Sequence, residues 1–116
     1  MAKNYDVALL FDFYGDLLTA KRREFFEFYY NGDLSLSEIA ENEGLTRQGV
    51  YDTLKKGELQ LREFEEKLGL VRRFRQVTET AAQIASLAGE IESGGGDIPA
   101  QARSIREKAE ELKKLV

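Results

Sequence analysis

Apolar side chains recur at steps of three and four along most of the chain, and no stretch alternates with the period of two that marks a half-buried strand. The chain therefore reads as all-α. Val7, Leu10, Phe11, Tyr14, Leu17 and Leu18 fall on one face of a first helix running from about Asn4 to Leu18. Thr19 has the side chain of an N-cap, so a second helix is predicted from Ala20 to about Tyr30, with Gly32 as its stop. The aromatic residues between Phe11 and Tyr30 keep helical spacing and read as core. Ser35 and Glu38 have the S-x-x-E spacing of a capping box, which starts a short third helix at Leu36 that ends near Gly44. Thr46 caps a fourth.

In that fourth helix Val50, Leu54, Gly57, Leu61, Phe64 and Leu68 form a heptad seam that outlasts what a recognition helix needs. About 22 residues rising about 1.5 Å each make a helix roughly 33 Å long. It is expected to project from a small domain. Gly69 marks a kink or break, after which the seam restarts at Leu70, Phe74, Val77, Ala81, Ile84, Ala88 and Ile91. It returns once more at Ile98, Ala102, Ile105, Ala109, Leu112 and Val116, behind Ser93-Gly94-Gly95-Gly96-Asp97, with Pro99 suited to the first turn of a last helix. Two seamed helices joined by a glycine-rich loop predict either an antiparallel hairpin or an arm that pairs with a second copy of the chain. The expected division is a domain over residues 1–69 and a hairpin extension over 70–116, with a linker at 93–98. A homodimer is expected through a seam of Leu54, Leu61, Phe64, Leu68, Phe74 and Val77, so that recognition and assembly share the fourth helix.

The segment from Ser35 to Lys56 has the requirements of a helix-turn-helix. Two helices crossing steeply need a small residue at the contact and a turn residue that tolerates positive φ. Ala40 and Gly44 supply these, with Ile39, Leu45, Val50 and Leu54 as expected buried anchors. With Val50 and Leu54 inward, a wheel of about 100° per residue leaves Gln48, Tyr51, Asp52, Lys55 and Lys56 outward, and Arg47 near the helix start. Gln can pair with adenine, Tyr and Lys can reach phosphates, and a helix N-terminus favours an anion. Asp52 opposes phosphate; it fits either a cytosine N4 donor or an intrahelical partner, Lys55 or Lys56. Gly49 and Gly57 weaken the helix intrinsically, and close backbone approach is one reason for them. Lys21, Arg22 and Arg23 form a second basic cluster, a candidate for phosphate contacts or a solvated helix end.

Charge narrows the picture. From Met1 to Gly69 nine Lys and Arg stand against fourteen Asp and Glu, a balance of −5, while Leu70 to Val116 carries +1. Any phosphate binding must be local, and weak non-specific affinity is expected. With no His and no Cys, imidazole and thiolate metal sites, disulfides and Cys/His catalytic pairs are excluded. Adjacent carboxylates such as Glu65-Glu66 and Glu110-Glu111 diverge around their helices, so no enzyme, metal or cofactor is expected. No apolar run is long enough to span a membrane, and MAKNYDV lacks the layout of a signal peptide, which predicts a cytoplasmic protein without membrane insertion.

The stretch Leu10 to Leu70, with its LFDFY, LLT, FYY, EIA and TRQGVYD segments, closely resembles the YlxM family of small bacterial helix-turn-helix proteins. Their DNA-binding part is similar to region 4 of sigma factors. The resemblance implies a sigma-region-4-like bundle, with a recognition role for Thr46, Arg47, Gln48, Tyr51, Asp52 and Lys55; Gly49 stands where alanine is expected. It also implies a DNA-binding regulatory protein whose gene neighbours those of the signal recognition particle GTPase and its receptor. The partner expected is double-stranded DNA, bound by a homodimer. The alternative is an adaptor or assembly factor, without DNA binding, that contacts the signal recognition particle protein or its RNA, for which the acidic domain would suit a basic partner surface.

Overall fold

Side-chain caps decide where the helices begin. In the computed structural model, which describes residues 3–116, α1 (Tyr5–Tyr14) starts where Asn4 Oδ1 accepts the Asp6 amide at 2.9 Å. The first two residues of the expected 1–69 domain lie outside the described ones. α1 ends earlier than its hydrophobic pattern suggested, because Gly15–Leu17 tightens into a 3₁₀ turn before the extended Leu18. Thr19 then caps α2 (Ala20–Phe26). Glu27–Asn31 widens into a π turn rather than continuing as regular helix to Tyr30. One extra residue per turn rotates the side chains of this segment relative to those of α2: Phe25, Phe26 and Tyr29 are all buried, and Phe28 and Tyr30 pack against the same core. Gly32 closes the π turn through its amide to the Glu27 carbonyl, 2.7 Å. The left-handed residue is Asp33, φ 55, which tolerates that region better than most and pairs with Lys3.

α3 (Leu36–Glu43) and α4 (Arg47–Leu68) start and stop as their caps predicted. Gly69, left-handed at φ 63, breaks the chain direction before α5 (Leu70–Glu92), and Asp97 caps α6 (Ile98–Leu115). Among the described residues all is helix, turn or loop. The chain divides into two units, Met1–Val71 and Arg72–Val116. The first therefore takes in the start of α5 as well as the helices expected of it.

Within that first unit α4 does not project freely. Its Val50, Leu54 and Leu61 are each 0% exposed among side chains of α1, α2 and α3. Gly57 completes the stripe for a steric reason: a Cβ there would lie 2.4 Å from Cε2 of Phe26. The bare backbone lets the Phe26 ring lie on α4, and that ring stacks on Phe11 and Tyr30 at 5.3 and 5.6 Å between centroids. Farther along, Phe64 meets the Tyr14 ring at 6.0 Å.

The last turn of α4 and the first of α5 are joined by side chains. The Tyr14 hydroxyl donates to Glu65 Oε1 at 2.6 Å and accepts the Leu70 amide at 3.0 Å, while Glu65 Oε1 also accepts the Val71 amide at 3.0 Å. Two amides at the start of α5, which have no intrahelical acceptor, are thereby satisfied. Burial, together with the bond to Glu65, pushes the Tyr14 phenol above the ordinary tyrosine value. Its contribution to stability is present below that ordinary value and is lost as pH rises through the raised one.

In the second unit α5 and α6 run antiparallel. Lys108 Nζ donates to Gln83 at 2.9 Å, and Gln101 Nε2 donates to Glu90 at 3.0 Å and to the Gly95 carbonyl at 3.1 Å.

Two glycine substitutions separate packing from propensity. Gly57→Ala is expected to cost about 1–3 kcal/mol through the clash with Phe26, although Ala is intrinsically favoured in a helix by roughly 1 kcal/mol. At Gly89 an added Cβ meets nothing within 4 Å, so Gly89→Ala should stabilise by up to about 1 kcal/mol. Thermal unfolding monitored by circular dichroism checks both; shifts of the same sign would contradict this packing.

Candidate nucleic-acid interface

The turn between α3 and α4 is fixed at both ends. Ser35 Oγ accepts the Glu38 amide and Glu38 Oε1 accepts the Ser35 amide, both at 3.1 Å, so the capping box is complete. Leu36, Ile39 and Ala40 hold α3 on the core. Gly44 ends it at φ 67, ψ 34, a conformation that glycine adopts without steric penalty. The Leu45 amide returns to the Ala40 carbonyl at 2.9 Å. Leu45 itself is not the buried anchor expected: it is 38% exposed, because it lies on the surface turn between two caps. Thr46 Oγ1 accepts the Gly49 amide at 2.9 Å, and a Cβ on Gly49 would approach that same oxygen at 3.2 Å.

With Val50 and Leu54 inward, the outward arc of α4 holds the residues the sequence assigned to it. Arg47, Gln48, Asp52, Lys55 and Lys56 are exposed and Tyr51 is half-buried against the core. Their charges are not equally available. Asp52 accepts from Gln48 Nε2 at 2.9 Å, so its partner is Gln48 rather than either lysine. That bond uses one Gln48 donor and leaves the amide oxygen open. Lys55 pairs with Glu58 at 3.2 Å and lies 6.0 Å from the Tyr51 ring centroid. Glu58 also holds Arg62 at 3.0 Å. Burial by itself would raise the Glu58 carboxyl, but hydrogen bonds from Arg62 and Lys55 outweigh it and hold the group below the usual carboxylate range. Among the described residues Arg47 and Lys56 make no side-chain hydrogen bond or ion pair. They are the open cations of the face.

The second basic cluster divides. Arg22 is partly buried and donates to Gln60 at 2.8 Å, tying α2 to α4. Lys21 lies 5.9 Å from the Phe25 ring centroid, and Arg23 is 3.8 Å from Asp16 with both side chains largely exposed. Lys21 and Arg23 can still meet a phosphate; Arg22 is structural. Glu58 and Gln60 were missed by sequence reasoning. The i, i+3 and i, i+4 spacing of Lys55, Glu58 and Arg62 was the available signal for the first; nothing local pointed to the second.

The expected dimer seam is split in the same way. Leu54 and Leu61 are fully buried inside their own domain and so are unavailable to a second copy, while Phe64 is half-buried against its core. Leu68 and Phe74, each 49% exposed, and the half-buried Val77 remain at the surface. Among the described residues no group of His, Cys, Asp or Glu could hold a metal ion, and no helix is long and apolar enough to cross a membrane.

A family model described as "Putative helix-turn-helix protein, YlxM / p13 like" (UPF0122) matches residues 1–93. The match extends through α5, well beyond the Leu70 limit of the sequence resemblance. The UPF0122 protein of Thermoanaerobacter sp. (strain X514) is 47% identical over 109 residues, 94% of this chain and 92% of the relative. That of Acetivibrio thermocellus is 51% identical over 84 residues, 72% of each chain. That of Desulforamulus reducens is 47% identical over 94 residues, 81% and 80% of the two chains.

The division of the basic cluster is open to measurement. Arg22→Ala should lower stability by about 1 kcal/mol through the lost bond to Gln60, whereas Lys21→Ala and Arg23→Ala should stay within about 0.5 kcal/mol. Urea denaturation midpoints compare the three; equal effects would place Arg22 among the solvated charges.

Proposed function

Because this chain belongs to the UPF0122 family of YlxM/p13-like helix-turn-helix proteins, we propose that it is a DNA-binding regulatory protein acting in the cytoplasm. In this reading the first turns of α4 enter the major groove. The observation that carries it is the capped, exposed start of α4, where Arg47 and Lys56 have no protein partner among the described residues and Gln48 keeps an open amide oxygen. Arg47 and Lys56 serve the phosphates together with Lys21 and Arg23, and Thr46, Gln48, Tyr51 and Lys55 lie where the groove is read. The pairing of Asp52 with Gln48 orients that amide and limits binding to unselected DNA. Two copies acting together would engage successive major grooves about 34 Å apart.

A second reading is favoured by the exposed Glu38, Glu41 and Glu43 on α3, which would oppose a phosphate backbone and suit a basic protein surface. Here the chain is an adaptor for the signal recognition particle, the pathway that the YlxM resemblance suggests. Separate pull-downs with the particle protein and with its RNA test this. Gln48→Ala with Lys55→Ala should spare a contact made by the acidic face of α3.

Duplex binding across a salt series decides the first reading. Arg47→Ala and Lys56→Ala should each reduce the salt slope by about 1, and Asp52→Ala should raise affinity for unrelated sequences. Failure to bind any fragment of its own operon region at low salt, while a basic control protein binds, would end the DNA hypothesis.

A further inference from the structure

One flank of α4 carries Tyr51, Lys55, Glu58 and Arg62, which fall within about 60° of one another at about 100° per residue. Lys55 Nζ lies 3.2 Å from Glu58 Oε2 and Arg62 Nη2 lies 3.0 Å from Glu58 Oε1, so each carboxylate oxygen is taken by one cation. The three are unequally open to solvent. The Glu58 side chain is 14% exposed, against 46% for Lys55 and 48% for Arg62. The acid therefore lies beneath the two bases. Its charge also reaches Tyr30, whose phenol is pushed up by burial, with Glu58 adding to the rise and Arg62 opposing it. Exposed ion pairs at this spacing are weak; a largely covered carboxylate shared by two cations is screened less.

We infer that Glu58 is an internal counter-ion of the α4 face: it takes the place of a DNA phosphate between Lys55 and Arg62, and so keeps phosphate binding by this helix weak. This role rests on the DNA-binding reading for its ligand and adds to it the residue that sets the strength of the contact. Carboxylate and phosphate are both oxyanions that accept from ammonium and guanidinium groups, and they compete for the same donors. Lys55 and Arg62 are about 10 Å apart along the helix, with Glu58 between them. A duplex that draws either cation to a phosphate leaves Glu58 covered, one partner short and beside a second negative charge. That loss offsets part of what the new contact gains. With Glu58 in place the two bases together amount to a single positive charge.

Two plainer roles make different demands. An ordinary surface acid acts on DNA through the net charge of the domain, and the exposed Glu63 of the same helix would then do as much. A purely structural tie affects helicity and leaves the salt dependence of binding alone. The counter-ion, by contrast, acts only through Lys55 and Arg62.

Fluorescence anisotropy of the full chain with a labelled duplex of unrelated sequence, across a salt series, tests this role, with circular dichroism checking that each variant is folded. Glu58→Gln should bind more tightly than the wild type at low salt and steepen the salt slope by about 0.9 for each cation it frees. Glu63→Gln, which changes the net charge equally, should leave the slope as it is. On a background of Lys55→Ala with Arg62→Ala, Glu58→Gln should gain no more than Glu63→Gln gains. Lys55→Ala in the otherwise native chain gives a check that does not depend on substituting Glu58: it should reduce the slope by clearly less than the change of about 1 expected for Arg47→Ala. A wild-type slope or weaker binding for folded Glu58→Gln, an equal gain from Glu63→Gln, or equal losses from Lys55→Ala and Arg47→Ala would overturn the counter-ion and leave DNA binding in place. Failure of both the wild type and Glu58→Gln, each folded, to bind any duplex at low salt would instead overturn the DNA reading, and this role with it.

Discussion

The ring of Phe26 lies on the bare backbone of Gly57, and the arrangement of the first unit depends on that contact. A helical glycine costs roughly 1 kcal/mol relative to alanine, but burying a phenylalanine is worth about 1.5–3 kcal/mol. The balance favours glycine here. Phe26 can then stack between Phe11 and Tyr30, bringing α1, α2 and the π turn onto α4 together. The π turn belongs to the same constraint, since it turns Tyr29 toward the core that Phe25 and Phe26 have opened.

A core built against one side of α4 leaves the other side free by default. The stripe of Val50, Leu54, Gly57 and Leu61 is buried, and Arg47, Gln48, Asp52, Lys55 and Lys56 on the opposite arc are exposed. Electrostatics then grades these residues. Glu58 holds Lys55 and Arg62, and Gln48 is joined to Asp52. The local field on the outward arc of α4 is carried by Arg47 and Lys56 within a domain of net negative charge. Such a face suits a contact limited to a few phosphates and one or two base edges more than broad adhesion to DNA.

The junction at Gly69 illustrates how a helix break is stabilised by distant residues. A left-handed glycine can end α4 unaided, but the amides of Leu70 and Val71 need acceptors. Tyr14 of α1 and Glu65 of α4 provide them. These bonds tie the start of α5 to the first unit. Beyond it the hairpin is held by polar bonds and half-buried side chains, a different basis of stability from the aromatic core.

Local chemistry was legible in the sequence. The caps at Thr19, Ser35 and Thr46, the left-handed Gly44, the break at Gly69 and the inward period of α4 each depend on residues within a few positions of one another, where side-chain type fixes the available hydrogen bonds and dihedrals. The outward arc of α4 came from the same period. Tertiary structure alone decided which heptad positions are enclosed: Leu54 and Leu61 match Leu68 in spacing, yet only the first two are covered by the rest of their own domain. It also decided that Arg22 meets Gln60, that Glu65 meets Val71, and that Phe26 requires Gly57. Periodicity specifies which face of a helix is apolar, but the side chain that covers each position comes from a distant part of the chain. Only the packed fold brings it there.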